Sequence, residues 1–198
     1  MGSLIIYDGT EAMVTESFPI EVITRSFEVK WVTEELTFTW DEYLEQGSQW
    51  EESISPGDRG RIMEYTATLQ LEQELGPQDN FTLSLLIEND KYEKTVQTEG
   101  GNITANETAK ATMDRNGVNP EGKDGIYSAD SEEDLLNQLV GQAGARTGQG
   151  VWTWTVFAQQ ADPDPLIEGM IDPDPGNNWD LEVTVIVMSP VLTEITFG

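Results

Sequence analysis

Asp162, Asp164, Asp172 and Asp174 stand in the tetrapeptide Asp-Pro-Asp-Pro, written twice ten residues apart, and Asp180 follows closely. Carboxylates are hard oxygen donors, and Ca2+ gathers about six to eight such oxygens from carboxylates, carbonyls and water. Proline fixes φ and has no N–H, so each Asp-Pro step stiffens the chain and leaves carbonyls as acceptors. These five aspartates are the candidate metal ligands, and Ca2+ is the cofactor they would take. The same spacing also describes a stiff acidic loop whose prolines block edge-to-edge strand pairing. A second oxygen-rich run, Asp114, Asn116 and Asn119 with Glu121 and Asp124 behind, echoes the start of an EF-hand loop. Val118 and Asn119 fall where that loop needs an oxygen ligand and a glycine, so the run reads as a turn.

The chain has no cysteine and no histidine. That excludes disulfides, thiolate zinc sites, thiol nucleophiles and every triad that needs an imidazole. Carboxylate chemistry remains, and a small glycosidase would need two carboxyls about 5–10 Å apart. Glu72, Glu88 and Glu182, however, fall on the outward register of their strands, away from the apolar face. The chain therefore reads as non-catalytic, with a carboxylate-dependent glycosidase as one alternative. Trp40, Trp152 and Trp154 are in register with core residues, whereas Trp50 and Trp179 read as loop residues and are the candidate ligand-binding aromatics. Rings that stack on sugars would make the chain a carbohydrate-binding module, a second alternative. Three Asn-x-Thr sequons, at Asn80, Asn102 and Asn106, suggest an exposed and extracellular surface.

The elements that must carry these residues are mostly strands. Period-two alternation runs through 36–40, 65–72, 81–87, 152–156 and 181–187, with apolar residues on one side and Thr, Gln or Glu on the other. Weaker strand signals lie at 4–7, 20–32, 92–98, 102–112 and 191–197. Residues 113–128 and 159–179 read as long loops. Ser131-Glu132-Glu133-Asp134 forms a capping box, and Leu135, Leu136, Leu139, Val140 and Ala143 make an apolar stripe, predicting one short α-helix near 131–143. The fold class that follows is all-β, an antiparallel two-sheet sandwich of Ig-like or jelly-roll type, with residues 1–198 as one domain.

Ten basic and 37 acidic residues give a formal charge of −27. Such a chain repels nucleic acid and anionic membrane surfaces. It suits a salt-rich medium, where charges are screened, or describes a merely acidic extracellular protein. No run of 18 apolar residues reads as a membrane span, and no signal peptide is visible, so direct membrane insertion is not expected.

Gly150–Val156 (GVWTWTV), an acidic proline-rich stretch, and Gly176–Val185 (GNNWDLEVTV) together resemble the closing strands of β-sandwich ectodomains on archaeal cell surfaces. The resemblance covers mainly residues 150–187. It implies an adhesive, filament or anchor-borne structural module with no shared active site. The expected function is a structural or assembly module of a cell surface, extracellular filament or virion, adapted to high salt. Its expected partners are copies of itself or other surface or virion proteins. The short apolar runs 4–7 and 191–197 would suit strand addition to a neighbour.

Overall fold

The computed structural model describes residues 2–8, 12–18, 24–57, 60–72, 80–99, 108–141, 146–159 and 176–196. In chain order the strands are β1 (Gly2–Asp8), β2 (Ala12–Phe18), β3 (Arg25–Glu45), β4 (Gln49–Ile54), β5 (Arg61–Leu71), β6 (Phe81–Ile87), β7 (Tyr92–Gln97), β8 (Lys110–Arg115) and β9 (Gly125–Ala129). The helix α1 (Glu132–Val140) follows, then β10 (Trp152–Ala158) and β11 (Gly176–Ile195). A single 3-10 turn at Glu88–Asp90 links β6 to β7.

Two antiparallel sheets form the body. One has the order β4-β10-β6-β7 and the other β8-β5-β11-β3-β9, while among the described residues β1 and β2 pair only with each other. The alternation read from the sequence explains why these sheets face one another. In β10 and β6 every second side chain is buried, and the same holds in β5 from Tyr65 to Leu71 and in β11 from Asn177 to Val187. Leu69–Leu181–Trp40 and Ala67–Val183–Phe38 lie across one sheet, and Trp152–Ile87–Ile54 and Val156–Leu83–Trp50 across the other. The buried members of these rows make the main core.

A second, smaller core lies where β3 and β11 run on past the sandwich. There Phe27, Val29 and Ala129 meet Leu135 and Leu139 of α1. The helix begins at the expected cap: Ser131 Oγ accepts from the Asp134 N–H at 3.0 Å. Burial of Leu135 and Leu139 agrees with the predicted stripe, but Leu136 and Val140 are only half-buried and the helix ends at residue 140.

Arg61 ties the two cores together. It is 4% exposed and donates to Pro120 O (3.0 Å), Glu121 O (3.2 Å) and Leu139 O (2.7 Å). Its guanidinium also lies 4.5 Å from the centroid of Trp31. Trp31 lies directly against Gly122, where a Cβ would strike the indole, so only glycine admits the ring.

Several expected elements differ. The stretch 113–128, expected as a loop, contains the end of β8 and most of β9. The C-terminal run is not a free strand for a neighbour, since Val191–Ile195 continue β11 and pair with β3 from Lys30 to Ser26.

Candidate functional site: an open edge and an acidic face

The two lateral sides of the sandwich are built differently. On one side β7 and β8 bring the sheets together. Glu99 and Lys110 exchange both backbone hydrogen bonds, at 2.7 and 3.0 Å. Lys94 Nζ donates to Asp114 O at 3.1 Å, Arg115 lies 4.6 Å from the Tyr92 ring, and the Tyr65 and Tyr92 hydroxyls are 3.0 Å apart. Burial and the Tyr92 hydrogen bond push the Tyr65 phenol pKa up. Behind them Ala111 and Met113 are sealed from solvent.

On the other side lie β4, which ends its sheet, and the part of β3 that runs on beyond its pairing with β9. Leu36, Phe38, Trp40, Trp50 and Ile54 point toward the core there but stay half-buried. The aromatics form a continuous row: Phe38 and Trp40 are 6.2 Å apart and nearly parallel at 8°, Trp40 and Trp50 are 5.5 Å apart, and Trp50 and Trp179 are 4.9 Å apart edge to face. β3 pairs with β9 only from Arg25 to Val29 on this side. Trp31 N–H then donates to Asp124 Oδ1 at 2.8 Å, away from β11. Because the pairing with β11 keeps one unbroken register, the N–H and C=O of Thr33, Glu35, Thr37, Thr39 and Asp41 point the same way as those of Trp31. Among the described residues no strand pairs with them.

The outer face of the five-stranded sheet is acidic. Asp180 stands directly opposite Asp41 on β3 and Gln70 on β5, and the next outward residue of β11 is Glu182. Asp41, Glu42, Gln70, Glu72, Asn178 and Asp180 contribute to a shallow groove of about 440 Å³. Asn178 donates to Glu72 Oε2 at 2.6 Å. The groove lies open on a flat strand surface. Among the described residues no three acidic side chains converge as a metal site.

The sequence-derived candidates land as follows. Asp162, Asp164, Asp172 and Asp174 lie outside the described residues, as do Asn102 and Asn106. Asp180 lies on β11 with its side chain exposed. Trp50 and Trp179, expected in loops, are both on strands. Trp179 is 1% exposed, so its ring face is not open to a sugar. The signal was in the sequence: Trp179 is in phase with Leu181 and Val183, and the strand begins at Gly176, five residues before the apolar alternation becomes obvious. The open edge left no comparable trace, because which strand ends a sheet is set by topology and not by any one strand's composition.

Together these features define an all-β two-sheet sandwich with one closed side and one open side. No family model matches the chain, and no curated protein matches it. Among solved structures, "Structure of infectious bursal disease virus Gx strain" matches at 14% identity, over 98% of this chain and 49% of that one, with a TM-score of 0.21. The chain thus spans about half the length of that protein's chain.

Proposed function

We propose that this chain is a non-catalytic structural building block of a cell surface, extracellular filament or virion, assembling with its own copies in a salt-rich medium. One observation carries the reading: the N–H and C=O groups of Thr33, Glu35, Thr37, Thr39 and Asp41 line an open edge above a half-buried aromatic row. An edge of this length invites strand addition, which supplies hydrogen bonds to the backbone and cover to the rings. The acids along it, Glu34, Glu35, Asp41 and Glu42, repel a second acidic copy in dilute buffer and are screened in high salt. Ca2+ belongs to the same reading, as an ion held by the aspartates of the 162–180 stretch.

Thr37→Pro and Thr39→Pro test it. Each removes one edge-facing N–H and leaves the bonds to β11 in place, the setting in which an edge strand tolerates proline. Light scattering in about 3 M KCl should show oligomers for the parent chain and for Thr37→Ala, and at least tenfold weaker association for the proline variants. A parent chain that stays monomeric at high concentration in low and high salt alike would overturn the assembly reading.

A further inference from the structure

Asn89, Asn119, Asn177 and Asn178 commit their side-chain amides to the fold. Asn119 alone donates to Ile62 O and Thr147 O and accepts from the Thr147 N–H, and the other three each donate one hydrogen bond. Asn80 is different. It is exposed at the entry to β6, and among the described residues its side chain makes no hydrogen bond. Its backbone is nevertheless held, because Asn80 O accepts from the Gln159 N–H at 2.8 Å. Phe81, the next residue, is fully buried, and its N–H donates to Thr98 Oγ1 at 3.0 Å. Strand alternation therefore turns Asn80 and Thr82 to the same outward side. The three residues are an Asn-x-Thr sequon with both functional groups presented on one face of a fixed backbone.

The surface around this sequon is unlike the outer face of the five-stranded sheet. The outward side chains of the four-stranded sheet include Ser53, Ser84, Thr95, Thr153 and Thr155, some linked in hydroxyl pairs such as Ser84–Thr95 at 2.8 Å. Its outward acids are Glu51 and Glu93, against Glu35, Asp41, Glu64, Asp114, Asp180 and Glu182 on the other sheet. Of the two sheet faces this is the poorly charged one, and a hydrated polymer attached to it would keep it from stacking on a neighbour. β6 is separated from β4 by β10, about 10 Å across two strand spacings, so Asn80 is not itself on the open edge.

We propose that Asn80 is the acceptor of an N-linked glycan. The donor is an oligosaccharide linked through phosphate to a lipid, acted on by an oligosaccharide transferase. The Asn80 amide nitrogen forms a bond to the anomeric carbon, the bond from that carbon to the phosphate oxygen breaks, the lipid phosphate leaves, and one amide proton passes to a base of the transferase. The proposal rests on the surface reading above, because only a chain that leaves the cytoplasm meets such a donor.

Mass spectrometry of the protein from its native source decides it. Trypsin releases Ile62–Lys91, which holds Asn80 as its single sequon, while Asn102 and Asn106 fall together in Thr95–Lys110. The first peptide should carry an added mass of sugar residues localised to Asn80. Asn80→Gln and Thr82→Ala should both abolish it, and Thr82→Ser, which restores the hydroxyl, should bring it back. Unmodified Asn80 in protein recovered outside the cell would overturn the site while leaving the surface reading intact. Unmodified protein confined to the cytoplasm would overturn the site together with the cell-surface and filament readings.

Discussion

At the scale of single residues, Arg61 does what no apolar residue could do at its position. It is the first residue of β5, at the boundary between two cores that share no apolar side chain. The backbone carbonyls of Pro120, Glu121 and Leu139 come from the segment before β9 and from the end of α1, and a flat guanidinium reaches them all while stacking on Trp31. Burial pulls its pKa down from the usual value, but hydrogen bonds to a charged donor are the strong kind. Removing a buried charged donor strands its acceptors, so Arg61→Ala should cost about 3 kcal/mol or more. Arg61→Lys should recover less than half, since an ammonium is a point charge and cannot span carbonyls on opposite sides. Urea unfolding measures both. A loss under about 1 kcal/mol for the alanine variant would mean that the small core docks without it.

At the scale of elements, the helix gives the sharpest contrast. Leu139 is 3% exposed and meets Phe27, Val29 and Ala129, whereas Leu136 is half-buried one step round the helix. Leu139→Ala should therefore cost about 2–5 kcal/mol and Leu136→Ala clearly less. Equal losses would show that the helix sits differently on the sheet. The cap and stripe of this helix were legible in the sequence because both are local: a serine, three acids and leucines at helical spacing. The two-sheet class was legible for the same reason, since Tyr65–Leu71, Phe81–Ile87 and Trp152–Ala158 alternate cleanly. What was not legible depends on partners far along the chain. β9 has one buried side chain, Ala129, and draws its order from β3 and α1. The length of β11, 20 residues, hides behind Pro190, which a short-range reading takes as a break. The apolar end of the chain looked like a strand in search of a neighbour because its partner, Ser26 to Lys30, lies more than 150 residues earlier. The open edge of β3 was hidden in the same way, and with it the candidate site.

At the scale of the whole molecule, the chain carries a charge of −27, and of the two sheets of the sandwich the five-stranded one has the more acidic outward face among the described residues. Asp180 and Asp41 are directly cross-strand, where like charges destabilise by up to about 1 kcal/mol. The Debye length is about 10 Å at 0.1 M salt and about 3 Å at 1 M, so this repulsion acts fully in dilute buffer and fades in concentrated salt. Two outcomes follow. The melting temperature of the parent chain should rise by many degrees between about 0.1 and 3 M KCl, and a flat response would sink the high-salt reading. Asp180→Asn should raise stability by about 0.5–1 kcal/mol at the low end and by almost nothing at the high end, because it removes a repulsion that salt already masks. Ca2+ separates screening from binding in the same pair of proteins. At constant ionic strength, chelator followed by millimolar CaCl2 should raise the melting temperature of the parent more than that of Asp180→Asn if this carboxylate is a ligand. An equal shift in both would remove Asp180 from the proposed Ca2+ ligands, and no shift in either would leave the Asp-Pro repeat as acidic chain with no ion to hold.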